Sequence, residues 1–259
     1  MTSVDERLVH EAADRYGVPG PVVQEVMARS RPCLHLVPYE SLSPSRRENA
    51  RPVGRSGGLP LLAYGTNWPE PEVREPLVLS LDCAALPHDV LDIELPADGH
   101  LLFFTAIEYP PESSVVLHVP AGAPTTERSA TYEFHDESME ITVYEPGDLY
   151  PVAGLSLDRE LGPTTSAFLH EIGDGEALYR FREAVRDAAS GETRVGGCVQ
   201  LGGFSDPWDM APDEGDFVLL AQIPGQAIDY DVFTMNLIVG TRQDIAARQY
   251  ASLQYDQQC

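Results

Sequence analysis

The chain has 259 residues, room for one large domain or two modest ones with a sizeable core. Acidic residues number 41 against 17 basic ones, a formal charge of −24, and every basic residue is an arginine. Without lysine there is no Schiff-base or phosphate-loop lysine chemistry, and the acidity opposes nucleic acid as a partner, because counterion release needs cationic side chains.

No stretch approaches the roughly 18 apolar residues of a membrane helix, so no membrane partner is expected. The opening "MTSVDERLVHEAADR" is charged and helical rather than a signal peptide, which points to the cytoplasm. Cys33, Cys83, Cys198 and Cys259 are scattered and form no C-x-x-C pair. That spacing argues against zinc and fits a reducing compartment.

In chain order, Ser3 and Glu6 read as a capping box before the apolar set Leu8, Val9, Ala12, Ala13 and Tyr16. Gly17 closes that helix, and Pro21 opens a second that runs to Met27. The pattern has some likeness to a DNA-binding helix-turn-helix, with Gln24, Glu25 and Arg29 on the second helix. A glutamate there and the global charge oppose DNA, and a packed helical hairpin over residues 1–31 is the expectation. From Pro32 to Pro76 the composition reads as an extended arm and loops, with Arg46, Arg47, Arg51 and Arg55 as a local basic patch.

Strands are expected at 76–83, 100–107 and 114–120, then at "ATYEFHD" and "MEITVYEPGD". Residues 176–190 form an amphipathic helix with Leu178, Phe181, Val185 and Ala188 on one side. Strands return at 216–225 and 232–240, followed by a short helix "QDIAARQY" and a last strand "ASLQYD". Helices and strands do not alternate regularly, so the expected class is α+β with mainly antiparallel sheet.

One pattern occurs twice. Gly57-Gly58 precedes Trp68-Pro69 and the strand "PLVLSLDC"; Gly202-Gly203 precedes Pro207-Trp208 and the strand "FVLLAQIPG". Paired glycines admit positive φ, so Gly57, Gly58, Gly202 and Gly203 are expected as structural turns. The repetition predicts an internal duplication within residues 32–259, with lobes near 54–145 and 195–259.

These residues, with "LPADGHLLFF", "LLAQI" and "DIAARQY", resemble the YwqG-like family of bacterial proteins, a domain of unknown function. The resemblance covers roughly residues 54–258. It implies a compact, duplicated α+β fold and no established enzyme activity; some members look associated with toxin–immunity gene clusters. The chain departs from the pattern at Ser80, where glutamine is usual, and at "DYDVFTMN", where Trp-Gly-Asp is usual.

Chemistry-bearing residues are few. Asp206, Asp209 and Asp213 lie in an acidic loop that suits a weak cation site or a solvated surface. Glu133, His135 and Glu137 would share one strand face, as an acid–base or metal group or as an ordinary polar face. No nucleophile motif occurs, although a Cys–His pair can be assembled by the fold alone. Trp68, Trp208, Gln222, Arg51 and Arg55 are the residues expected to line a cleft between lobes, with core packing as the alternative for the tryptophans.

Three readings follow; no cofactor is expected, and a metal enters only in the third. The first is a non-enzymatic interaction protein, in one form an immunity or inhibitor protein against a basic toxin, because the charge of −24 suits a basic protein partner. The second is a small-ligand binding protein with an inter-lobe cleft. The third is an enzyme using a metal or a His–carboxylate pair.

Overall fold

In a computed structural model of the chain, residues 6–66, 68, 75–110, 114–134, 136–191 and 195–259 are described. The expectations resting on Ser3, Pro69 and His135 lie outside them. The elements run α1 (Glu6–Tyr16), α2 (Gly20–Ala28), β1 (Ser30–Val37), α3 (Pro44–Arg47), β2 (Gly54–Ser56), β3 (Leu61–Ala63), β4 (Leu77–Asp82), β5 (His100–Phe104) and β6 (Val115–Val119). After these come β7 (Thr125–Glu127), β8 (Thr131–Phe134), β9 (Glu137–Glu140), β10 (Gly147–Leu157), α4 (Pro163–Ile172) and α5 (Glu176–Ser190). The chain ends with β11 (Val199–Leu201), β12 (Phe217–Pro224), β13 (Met235–Thr241), α6 (Arg242–Ala246) and β14 (Gln254–Gln258). The result is a mixed helix-and-sheet fold around one large antiparallel sheet.

That sheet has ten strands in the order β14-β13-β12-β11-β1-β10-β2-β4-β5-β6. Its long seam is the β1–β10 pair, from Ser30 opposite Leu157 to Val37 opposite Tyr150. Counting outward from the seam, β2 and β11 hold matching places, and each ends in a Gly-Gly pair. The sheet curls strongly: the turn at Tyr250–Ser252, just before the edge strand β14, packs on β6 at the other edge. Curling encloses a core drawn from both halves, with Leu34, Leu79, Leu101, Leu201, Leu220 and Ile238 among its members.

The central strand β1 falls in the stretch expected to be an extended arm. Its alternation is clear once placed: Leu34 and Leu36 point into the core, fully buried. Each contributes roughly 1.5–3 kcal/mol relative to exposure. Pro32 hid the strand from a reading by composition. It is tolerated because β11 spans only Leu34 to Leu36 of β1, so one side of Pro32 needs no ladder partner.

The two N-terminal helices pack more on later helices than on each other. α1 packs chiefly on α5 and α2 on α4, forming a layer over the outer face of the seam. Val9, Val22, Val26, Phe181, Val185 and Leu157 share one apolar cluster there. The spacing of Leu178, Phe181 and Val185 along α5 sets them on the inward stripe, all buried. A β3–β7 ribbon covers the outer face near β5, over Leu77, Leu102 and Phe104.

Two expected strands are shorter or bent. β8 and β9 form a hairpin in which Phe134 pairs with Glu137, with Asp136 at φ +65°. Glu133 and Glu137 therefore stand on opposing strands, not on one alternating face. The expected helix "QDIAARQY" is reduced to Arg242–Ala246, and Arg248 at φ +58° turns the chain afterwards.

Candidate functional site

Both Gly-Gly pairs have the same backbone. Gly57 and Gly58 sit at φ +60° and +77°, Gly202 and Gly203 at +65° and +76°. Each pair ties back to the next strand outward: Gly57 N–H donates to Val78 O at 3.0 Å, and Gly202 N–H to Leu220 O at 3.3 Å. The second pair is the more enclosed. Gly203 N–H donates to Asp92 Oδ1 at 2.8 Å, and Arg242 Nη2 holds Asp92 Oδ2 at 2.9 Å. A Cβ on Gly203 would collide with Ser156 and with Cβ of Cys33.

From this turn springs the acidic loop, and sheet residues brace it. Gln222 Oε1 accepts the N–H of Asp206 at 2.8 Å. Gln258 Oε1 accepts from Trp208 N at 2.7 Å and Asp209 N at 3.0 Å, while its amide nitrogen donates to Met210 O at 2.9 Å. Arg159 Nη1 donates to the carbonyls of Pro207 and Asp209, at 2.9 and 3.0 Å. Ser205 donates its hydroxyl and its N–H to the Asp213 carboxylate. Sequence reasoning missed Gln258 and Arg159. Their role depends on a turn in three dimensions, and neither lies in a motif.

The bracing occupies two of the three carboxylates proposed for a cation. Asp213 is committed to Ser205, and the Asp206 side chain reaches toward Arg186, 3.9 Å away. Among the described residues no three His, Cys, Asp or Glu side chains group to hold a metal ion.

The five residues expected to line one cleft fall in different places. Trp68 packs edge-on against Phe104, ring centroids 5.3 Å apart, under the β3–β7 ribbon. Trp208 is 54% exposed on the braced loop. Gln222 is buried and holds that loop. Arg55, on β2, pairs with Asp148 of β10 at 3.6 Å, and Arg51 lines a hollow beside α3.

A Cys–His arrangement does form. Cys33 Sγ lies 3.5 Å from His35 Nε2, and Cys198 Sγ lies 3.7 Å from Nδ1 of the same ring. The environment silences it. Burial pushes the Cys198 thiol up to about 12 and raises Cys33 further, while burial, with Arg186 nearby, lowers the His35 imidazole to about 4. At neutral pH the imidazole is neutral and both thiols keep their protons, the reverse of an activated thiolate–imidazolium pair.

Exposed aromatic surface gathers where two loops meet. Thr234 Oγ1 donates to Ile107 O at 2.7 Å, which joins residues 107–109 to 229–234. Burial, then the neighbouring Glu108, Tyr109 and Asp229, raise the Tyr144 hydroxyl beneath them. Tyr109, Tyr230 and Phe233 are 51%, 84% and 68% exposed on these loops. Glu108 and Asp231 are exposed beside them. The sequence held this signal in "DYDVFTMN", the segment that departs from the pattern described above.

A match to a known protein family runs over residues 54–259, described as a domain of unknown function (DUF1963). The chain belongs to the DUF1963 family. A search of curated proteins finds no match. The DUF1963 match opens at Gly54, in β2, and takes in both Gly-Gly turns and the braced loop. It leaves out α1, α2 and β1, although β1 is half of the central seam. Among the described residues no helix is long and apolar enough to cross a membrane.

Proposed function

We propose that this DUF1963 protein is a non-enzymatic interaction protein of the cytoplasm that binds a basic protein through Tyr109, Tyr230 and Phe233. The observation that carries the reading is the placing of three exposed aromatic rings among carboxylates at the 107–109 and 229–234 loops. Aromatic side chains make strong anchors at interfaces, because they bury much area at little entropic cost. Surrounding carboxylates and a net charge of −24 favour a partner rich in arginine or lysine, and a cation facing an aromatic ring adds attraction.

The resemblance to YwqG-like proteins supports a narrower form, an immunity or inhibitor protein against a basic toxin. The duplication expected from the sequence belongs to the same reading: two halves of one ancestral unit meet at the β1–β10 seam, and each supplies a Gly-Gly turn. A superposition of β2, β4, β5 and β6 on β11, β12, β13 and β14 tests it, and unrelated strand paths would remove it.

The experiment for the partner is affinity capture from the source cell by the wild-type chain and by a Tyr230→Ala/Phe233→Ala variant. A basic protein retained by the first and lost from the second, and binding again when both are purified, supports the assignment. Equal retention by both chains would refute it.

A further inference from the structure

The hollow beside α3 has an unusual lining for so acidic a chain. It measures about 510 Å³ and opens between α3, the segment 49–53 and the β10 residues Tyr150 and Pro151. That is within the usual range for small-ligand sites, roughly 300–1,000 Å³. No aspartate or glutamate lines it, in a chain with 41 acidic residues and 17 arginines. Two of those arginines, Arg46 and Arg51, do line it, together with Ser45 and Asn49.

The four arginines of this segment divide into two kinds. Arg47 donates to the carbonyls of Leu42 and Glu40, at 2.9 and 2.7 Å, and lies over the Tyr39 ring. Arg55 is paired with Asp148. Arg46 and Arg51 make no side-chain hydrogen bond and no ion pair among the described residues. Acids outnumber arginines more than two to one, so two arginines on the walls of one hollow with no ion pair stand out. The walls are otherwise apolar: Leu42 and Val53 are 3% and 2% exposed, and the Tyr150 ring, fixed edge-on by Tyr39 at 5.5 Å, closes one side.

We propose that this hollow binds a small organic anion, a phosphate or carboxylate group carried on an apolar or aromatic body. Arg46 and Arg51 hold the anionic group. A guanidinium fork matches the oxygens of either group in a paired hydrogen-bond geometry. Ser45 and Asn49 supply further donors, and Leu42, Val53 and Tyr150 receive the apolar body. The global field of an acidic protein repels anions. An anion site here therefore needs cations left unneutralised and carboxylates kept away, and this hollow has both. The site is separate from the aromatic loops of the proposed partner surface and does not depend on that reading.

The test is calorimetric titration of the full chain with phenyl phosphate, phenylacetate, inorganic phosphate and neutral benzyl alcohol. Saturable binding of an aromatic anion, at least about tenfold tighter than inorganic phosphate, is expected, with no saturation by benzyl alcohol. Arg46→Gln and Arg51→Gln should each weaken that binding about tenfold or more, as loss of a charge-assisted hydrogen bond does. Arg55→Gln should leave it unchanged. All three side chains are exposed, and circular dichroism confirms that the variants fold. Phenyl phosphate binding before phenylacetate marks a phosphate ligand, and the reverse order a carboxylate. No saturable binding by either aromatic anion, or binding indifferent to Arg46 and Arg51, overturns the proposal.

Discussion

The Glu25 carboxylate on α2 caps a helix it does not belong to: it accepts the N–H of Thr165, in the first turn of α4, at 2.7 Å. It also accepts Thr164 N–H at 3.1 Å. The residue preceding α4 is Gly162, which has no capping side chain, and a Cβ there would run into the Glu25 carboxyl. One helix thus supplies the acceptor that another lacks, and the negative charge sits at a positive helix end. Arg29, four residues on, is held by Asp158 at 2.7 Å. Two side chains of the supposed recognition helix therefore work inward, joining α2 to α4 and β10.

This cap has a pH signature. Hydrogen bonds from Thr165, and then from Thr164, hold Glu25 at about 2, down from an ordinary value near 4.5. A carboxylate with a depressed folded-state pKa stabilises the fold above its unfolded value and loses that contribution as pH falls through the folded one. The contribution is complete at neutral pH and disappears between about 4.5 and about 2. Glu25→Gln should melt below wild type near neutrality, and the two curves should converge through that acid window. A constant offset across the window would show that Glu25 acts by packing and not by charge.

The Gly-Gly turns should differ in sensitivity. Gly203→Val should cost roughly 1–3 kcal/mol, because positive φ and contact with Ser156 and Cys33 act together. At Gly58 the nearest atom to a new Cβ is Cβ of Pro146 at 3.3 Å, so the backbone conformation dominates. Gly58→Ala should cost about 1 kcal/mol, near the left-handed penalty alone. Urea unfolding measures both, and equal costs would remove the packing part of the argument.

The helix pair α1 and α5, the core strands β4, β5, β12 and β13, and both glycine turns were legible in the sequence, because each rests on local periodicity or on a backbone demand. β1 was not: prolines on and beside it resemble loop punctuation, and its central place follows from pairing with residues more than a hundred positions away, such as Ser30 with Leu157. The surroundings of the expected cleft residues are set by the same kind of distant contact. Gln222 was noticed for its type, but its task is to hold Asp206, set by a loop that returns to it. The aromatic surface needed the junction of residues 107–109 with 229–234, which no local pattern predicts.

Thiol chemistry should follow burial. Cys33, Cys83 and Cys198 are buried and Cys259 is exposed. Burial raises the Cys83 thiol to about 11 and the Cys198 thiol to about 12, so almost no thiolate exists at neutral pH. Iodoacetamide should add once to the folded chain, at Cys259, and at all four cysteines after denaturation. Rapid labelling of Cys33 or Cys198 in the folded protein would point to an opening of the seam that the burial does not suggest.

The braced loop should depend on Gln258. Gln258→Ala removes acceptors for Trp208 and Asp209 and a donor to Met210. A loss of about 1 kcal/mol is expected, because the residues released are exposed and water replaces part of what Gln258 supplied. Limited proteolysis should then cut within the loop, near Met210, well before the core unfolds. If the variant resists cleavage as wild type does, Arg159 and Ser205 hold the loop without it.

Charge and aromatic surface should separate in the kinetics of the proposed partner. Association is steered by the net charge of −24, and exposed charges are screened over about 8–10 Å at physiological ionic strength. The association rate should therefore fall steeply as salt rises, while the dissociation rate changes little. Replacing the rim carboxylates, Glu108→Gln and Asp231→Asn, should lower the association rate and flatten its salt dependence. Phe233→Ala should act on the other arm: it removes an anchor that is desolvated only in the complex, so it should speed dissociation and leave association nearly unchanged. Stopped-flow measurements over a salt series, with the purified basic partner, distinguish the two. If Phe233→Ala slows association instead, or if salt shortens the lifetime of the complex as strongly as it slows encounter, the aromatic loops are not the contact.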